Sequence, residues 1–123
     1  MSTSEIANDF VALCRAGKNM EAISKYYSPS IVSLESASFP GMPAEMKGLD
    51  AIRQKNELWF ANNEVHSAET NGPYVGDSQF AVEFKYDFTA KGSGKRVQMN
   101  EMALYTIKDG KIVHEHFFYN AGE

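Results

Sequence analysis

Glu101 and Glu115 lie in segments whose neighbours are largely apolar. Two carboxyls behind an apolar wall do not both ionise easily, because desolvation and mutual repulsion raise at least one pKa. A carboxyl that keeps its proton near neutral pH is what general acid–base chemistry needs. The same glutamates have an ordinary explanation as well. Each can be paired with Lys55, Arg53 or Arg96, or hydrogen-bonded by Tyr86 and Tyr105, since a buried carboxylate needs partners whether or not it catalyses. His114-Glu115-His116 places two imidazoles two residues apart, on one side of a strand. A metal site would need a third ligand, and His66 is the one histidine left, so no metal is expected. Cys14, the single cysteine, excludes an internal disulfide and falls on an apolar helical stripe, where it reads as packing.

The elements that carry these residues divide the chain in two. Ser2-Thr3-Ser4-Glu5 fits a capping box, and Ile6, Phe10, Leu13 and Cys14 follow at helical spacing, with Gly17 as the stop. A shorter helix puts Met20, Ile23 and Tyr27 on one face and cannot pass Pro29. Ile31 to Glu35 reads as a short strand. Residues 36–47 contain two prolines and a glycine without periodicity, a long loop that suits a lid. A third helix opens at Gly48-Leu49-Asp50, with Leu49, Ile52, Asn56, Trp59 and Phe60 on its inner face. Asn56 interrupts that seam.

From Val65 the period becomes two. Phe80, Val82, Phe84, Tyr86 and Phe88 alternate with polar residues, the pattern of a strand with one buried and one solvated face. Asn71-Gly72-Pro73 bends the strand before it, Gly76-Asp77 and residues 91–95 turn the chain, and Lys108-Asp109-Gly110 turns it again. Helices followed by a meandering antiparallel sheet make an α+β domain. The last hairpin leaves two phases open. A two-residue Asp109-Gly110 loop pairs Ile107 with Ile112 and puts His114 and His116 on the face of Glu101. A three-residue loop with Gly110 in a bulge pairs Ile107 with Lys111 and puts Val113, Glu115, Phe117 and Tyr119 there instead.

Tyr26-Tyr27-Ser28-Pro29-Ser30-Ile31-Val32, then Gly48-Leu49-Asp50-Ala51-Ile52-Arg53, then Asp109-Gly110-Lys111-Ile112-Val113 resemble the SnoaL-like branch of the nuclear-transport-factor-2-like superfamily. The resemblance runs over nearly the whole chain. It implies a cone-shaped α+β fold, with three N-terminal helices packed on the concave face of a curved, mostly antiparallel sheet, a deep pocket, and often a homodimer through the sheet. It favours the three-residue loop, which makes Glu101 and Glu115 diagonal neighbours on the concave face, about 7–8 Å apart, with the histidines on the convex one. It adds Glu35 as a third carboxylate, at the point where the related ketosteroid isomerase carries its proton shuttle. The oxyanion-hole tyrosine and aspartate of that isomerase correspond to Phe10 and Ala103, and the aspartate of limonene epoxide hydrolase corresponds to Phe117, so neither chemistry carries over. The family implies no single reaction: isomerases, cyclases, epoxide hydrolases, dehydratases and non-catalytic modules all belong to it.

The 123 residues make one domain, 1–123. Lys plus Arg is 12 against 16 Asp plus Glu, a net charge of −4 without a basic run, so neither nucleic acid nor an anionic membrane is an expected partner. No apolar stretch is long enough for a membrane span and no export signal opens the chain, so the cytoplasm is the expected location. The sequence also lacks a phosphate-binding glycine loop, a dinucleotide fingerprint and a nucleophilic serine arrangement. These readings converge on a pocket for a compact, largely apolar molecule. Glu35, Glu101 and Glu115 are its candidate acid–base residues, and no cofactor is expected. The wall would be formed by Phe10, Asn56, Trp59, Phe84, Tyr86, Ala103, Tyr105, Phe117 and Tyr119. A second copy of the chain, met through the sheet face where Met102, Leu104 and Phe118 cluster, is the expected partner. The rival reading is a binding or dimerisation/assembly module without chemistry, whose sheet face recruits a partner.

Overall fold

The computed structural model describes residues 1–38 and 43–120. The centre of the 36–47 segment, read as a lid, and the last three residues of the 1–123 domain lie outside them. Helix α1 (Thr3–Arg15) starts on the expected capping box, in which the Ser2 hydroxyl accepts from Glu5 N–H and the Glu5 carboxylate accepts from Ser2 N–H. It ends where Gly17, at φ 76°, takes the left-handed conformation, with Gly17 N–H donating to Cys14 C=O and Lys18 N–H to Leu13 C=O. Helix α2 (Asn19–Tyr26) follows. Tyr27 does not share its face as the spacing suggested: it opens strand β1 (Tyr27–Leu34). Pro29 falls in an irregular part of β1, which takes five steps from Tyr27 to Val32 where its neighbouring strand takes two.

Strand β2 (Glu45–Lys47) pairs back onto β1, and helix α3 (Leu49–Asn62) leads into the sheet strands β3 (Asn63–Val75), β4 (Gln79–Ala90), β5 (Arg96–Lys108) and β6 (Lys111–Phe118). The spatial order is β2-β1-β6-β5-β4-β3, antiparallel except for the β1–β6 pair. The α+β architecture expected from the sequence is therefore the one observed: three helices on one face of a curved six-stranded sheet. Arg15 ties the end of α1 to the bend in β3, donating to Thr70 C=O at 2.9 Å and Gly72 C=O at 3.1 Å. Ile6, Phe10 and Val11 of α1, Ile23 of α2 and Ile52 of α3 bury against Ile31, Phe80, Val82, Tyr105 and Ile112 of the sheet. This core fills the closed end of the cone and leaves the other end hollow.

The final hairpin corrects the sequence reading in its mechanism but not in its facing. Asp109 (φ 53°) and Gly110 (φ 75°) form a two-residue turn with both residues left-handed, and Ile107 pairs with Ile112. One step later Thr106 pairs with His114, so Val113 is an extra residue, a β-bulge. The bulge reverses the phase set by the turn. Beyond it Tyr105 lies opposite Glu115 and Ala103 opposite Phe117, not Ala103 opposite Glu115 as the three-residue loop required. His114, His116 and Phe118 consequently face outward, where His116 stacks on Phe118 with ring centroids 4.1 Å apart.

Candidate functional site

Between the helices and the concave face of the sheet lies a partly open cavity of about 530 Å³, within the usual range for small-molecule sites. Each element contributes through its own periodicity. On α3, residues 55, 56 and 59 follow Ile52 at helical spacing, so Lys55, Asn56 and Trp59 all point inward. The even-numbered residues of β4 and the odd-numbered ones of β5 and β6 supply the opposite wall. Its rings are coupled: Trp59 lies 5.4 Å from Tyr86 and 5.1 Å from Phe88, while Tyr86 stacks on Phe84 at 6.2 Å. Phe10 closes the floor against Tyr105 at 4.9 Å. Of the expected wall residues, Phe10, Asn56, Trp59, Phe84, Tyr86, Tyr105, Phe117 and Tyr119 border the cavity. Ala103 does not, because its short side chain is completely buried in the core opposite Phe117 and Val82.

All three candidate carboxylates border the cavity, but they are not equivalent. Glu115 is the deepest, 1% exposed. The Tyr27 hydroxyl donates to its Oε1, and Lys55 Nζ stands 3.7 Å from its Oε2, which has no hydrogen-bond partner among the described residues. Burial raises its pKa, against the pull of Lys55 and of the hydroxyls of Tyr27 and Ser33. Glu35 lies just past the end of β1. Its Oε2 is 3.4 Å from Lys55 Nζ, and its Oε1 accepts from the Tyr119 hydroxyl at 3.2 Å. Lys55 also donates to Ser33 Oγ at 2.9 Å and stands over the Phe117 ring, 5.3 Å from its centroid. One buried ammonium thus holds two carboxylates, and the ordinary explanation weighed for Glu115 is partly met.

Glu101 differs. It faces the cavity from β5 opposite Phe84, and no hydrogen bond or ion pair reaches its carboxyl among the described residues. Burial, then repulsion from Glu35 and Glu115, push its pKa up to about 8, against the weaker pull of Lys55. The expected pair of diagonal glutamates does not exist. With Tyr105 opposite Glu115, the register separates Glu101 from Glu115 by four strand positions, about 13 Å along the sheet. The two carboxyls therefore do not share a proton; Glu101 keeps one by itself. Elsewhere on the lining, Asn56 Nδ2 donates to Ile52 C=O at 2.8 Å, which leaves the amide oxygen and one N–H without a partner among the described residues. The Tyr105 hydroxyl, raised well above the ordinary tyrosine range by burial and the charge of Glu115, stays a donor. Cys14 is pushed up to about 12 by burial, so it is no thiolate. Among the described residues no cluster of His, Cys, Asp and Glu fits a metal.

The sequence reading named Lys55 only as a possible partner and passed over Tyr27 and Ser33. Lys55 had a signal: it lies three residues after Ile52 and four before Trp59, on the seam already assigned to the core. A charged residue at such a position must meet an opposite charge.

A family model described as a SnoaL-like domain matches residues 1–119. A solved structure from Mesorhizobium loti is 45% identical, with a TM-score of 0.92 over 97% of this chain and 100% of that one. Its name assigns it provisionally to the SnoaL-like polyketide cyclases and also carries carbohydrate phosphatase. An NTF2-like protein from Burkholderia thailandensis is 18% identical, with a TM-score of 0.79 over 98% of this chain and 92% of that one. A protein with a ketosteroid isomerase-like fold from Catenulispora acidiphila, solved in complex with trimethylamine, is 20% identical, with a TM-score of 0.73 over 98% and 88%. The last two share the fold alone. No curated protein sequence matches the chain significantly. Among the described residues no helix is long and apolar enough to cross a membrane.

Two stability measurements check this electrostatic picture. Between the ordinary glutamate value of 4.5 and about 8, folded Glu101 holds a proton that the unfolded chain has lost, so stability falls as pH rises through that window by up to about 1.4 kcal/mol per unit. Urea unfolding should therefore find Glu101→Gln more stable than the unsubstituted chain at pH 8 and close to it at pH 4, below the ordinary glutamate value. Equal stabilities at pH 8 would place an ionised, solvated carboxylate there. Lys55→Met, which strands Glu115 and Glu35, should cost about 3–5 kcal/mol at pH 7, with part of the loss recovered when Glu115→Gln is added.

Proposed function

The chain belongs to the SnoaL-like family, and on that footing we propose that it binds a compact, largely apolar molecule carrying a carbonyl or hydroxyl and moves a proton on it without a cofactor. The reaction would be an isomerisation, cyclisation or dehydration. The observation that supports this reading is Glu101, a carboxyl without a partner among the described residues, its pKa pushed up to about 8, on a cavity wall that is largely aromatic. At neutral pH it starts as the general acid and, having given up its proton, becomes the base that takes one back. Tyr105 and Asn56, both on the lining, would orient the ligand oxygen. Glu35, held by Lys55 and Tyr119, is the second carboxylate, and Glu115 is a positioning residue that fixes Lys55. A second reading, ligand binding without chemistry, draws on the same ammonium: Lys55 already accounts for Glu35 and Glu115 as structural charges. In either reading the work is expected in the cytoplasm.

Deuterium uptake separates the two. The protein is incubated in D2O with 2-methylcyclohexanone, 2-tetralone or 2-cyclohexenone, and proton NMR follows loss of the α-hydrogen signal. At least one probe should exchange faster than in buffer. That excess should fall as pH rises through about 8, and Glu101→Gln should lower it about 100-fold. Exchange at the buffer rate for every probe would favour the binding module.

The proposal includes a second copy of the chain, paired through the convex face. Met102 (39% exposed) and Phe118 (47% exposed) face outward across the β5–β6 pair, beside Leu104 and His116, an apolar group unusual on a solvated sheet face. Sedimentation velocity should show a dimer that Phe118→Ser shifts to monomer; a monomeric unsubstituted chain would remove this part.

A further inference from the structure

The cavity lining contains three carboxyls, Glu35, Glu101 and Glu115, and one ammonium, Lys55. Lys55 is already committed to Ser33, Glu35 and Glu115, at 2.9, 3.4 and 3.7 Å. A second negative group would therefore find no free cation on the described lining, and would meet surplus acid. The wall near Glu101 consists of ring faces. Phe84 is its cross-strand partner on β4, Tyr86 stacks on Phe84, and Trp59 packs against Tyr86 and Phe88 from α3. Ring faces carry negative partial charge and attract cations held over them. An unpaired carboxyl beside several such rings, in a cavity short of positive charge, suits one ligand chemistry above others.

We infer that the cavity selects a cationic head, a protonated or quaternary amine on a compact apolar body, with the carboxyl of Glu101 as its counter-charge and Trp59, Phe84 and Tyr86 as its aromatic surround. The inference rests on the proposed reading of Glu101 as the group that exchanges a proton at this site, and it narrows the class of molecule that meets it. When an ammonium enters, its charge stabilises the Glu101 carboxylate. The carboxyl proton leaves to solvent and one ion pair replaces one neutral acid, so with a cationic ligand bound Glu101 starts as the base of the proposed proton exchange and not as its acid. If the free amine enters instead, the same proton passes from Glu101 Oε to the amine nitrogen and none is released. The two routes end in the same complex. The other charged and titratable groups on the lining are Cys14 on α1, Tyr27 on β1 and Glu35 beyond it, Lys55 on α3, Tyr86 on β4, Tyr105 on β5, and Glu115 and Tyr119 from the last strand and its extension. Among the described residues of the lining Lys55 alone opposes a cation, and its two carboxylate partners offset it.

The test uses four probes of similar size on the intact chain: benzyltrimethylammonium, benzyldimethylamine, benzyl methyl ether and phenylacetate. Isothermal titration at pH 7 should rank both cations at least tenfold tighter than the ether, and phenylacetate weakest. Titration of benzyltrimethylammonium in two buffers of different ionisation enthalpy should show release of close to one proton per complex. Glu101→Gln should abolish the proton release and bring the cations within about threefold of the ether. Trp59→Leu should weaken the cations more than the ether, and circular dichroism should show both variants folded. Equal or tighter binding of the ether, a cation preference that survives Glu101→Gln, or no binding of either cation at millimolar concentration would each overturn the inference. Its failure is distinguishable from that of the parent reading. Cation preference without proton release would keep the ligand class and remove Glu101 as a neutral acid, whereas a Glu101 carbon signal titrating near pH 8 with no cation preference would do the reverse.

Discussion

A single extra residue in the last strand decides what the cavity is made of. The left-handed Asp109-Gly110 turn, left to itself, would carry His114 and His116 onto the concave face and turn Glu115 outward, since a strand's side chains alternate with strict period two. Val113 interrupts the ladder and restores the opposite phase. The consequences reach well beyond the hairpin. Glu115 arrives beside Ser33 of the parallel neighbour β1, where Tyr27 and Lys55 can meet it, and Phe117 arrives beneath Lys55. The irregular stretch of β1 around Pro29 lies beside the same bulge, so the two strands are distorted together at the closed end of the cone.

That phase also sets the charge balance inside. Burying Glu115 requires a cation, and α3 delivers one from the opposite wall. Once Lys55 is drawn down to Glu115 and Ser33, it also holds Glu35, and its one charge is shared between two carboxylates. Nothing comparable serves Glu101. The asymmetry between the glutamates is therefore a consequence of supply. A buried carboxyl with an ammonium and a hydroxyl beside it is part of the structure, whereas one facing only rings and empty space keeps its proton and remains available to a ligand.

Much of this was legible in the sequence where a strong periodicity carried it. The capping box of α1, the alternation of Phe80 to Phe88, and the inward placing of Asn56 and Trp59 rest on local rules that tertiary structure did not override. The facing of Glu101 and Glu115 was reached as well, but through a bulged three-residue loop, when a regular two-residue turn and a bulge three residues later achieve it. A bulge at a valine has no signature in a single sequence, since it is selected by the neighbouring strands. The same limit produced the false pairing of the two glutamates, whereas Ala103 faces as expected and leaves the cavity wall only because its short side chain is buried in the core. The start of β1 at Tyr27 was missed because Tyr27 also fits the helical spacing of Met20 and Ile23. Glu35 came through resemblance, and its partners Lys55 and Tyr119 arrive from elements distant in the chain.

The isolation of Glu101 has a cause in the same strand. The β5–β6 ladder ends at the Met102–Phe118 pair. Had it continued, the residue opposite Glu101 would be Tyr119, whose hydroxyl could have satisfied the carboxyl directly. Instead the chain turns away. Tyr119 N–H donates to Ser36 Oγ at 3.0 Å, Ser36 Oγ donates to Phe117 C=O at 2.8 Å, and the Tyr119 hydroxyl goes to Glu35. Two hydrogen bonds from one serine thus draw the tyrosine to Glu35 and leave the other carboxyl bare. Repulsion from Glu35 and Glu115 then adds to burial in keeping Glu101 neutral. A group held in its less common protonation state by geometry alone responds to any ligand that changes the local field, which is why the reactivity of this cavity is assigned to Glu101 and not to the deeper, better-held Glu115.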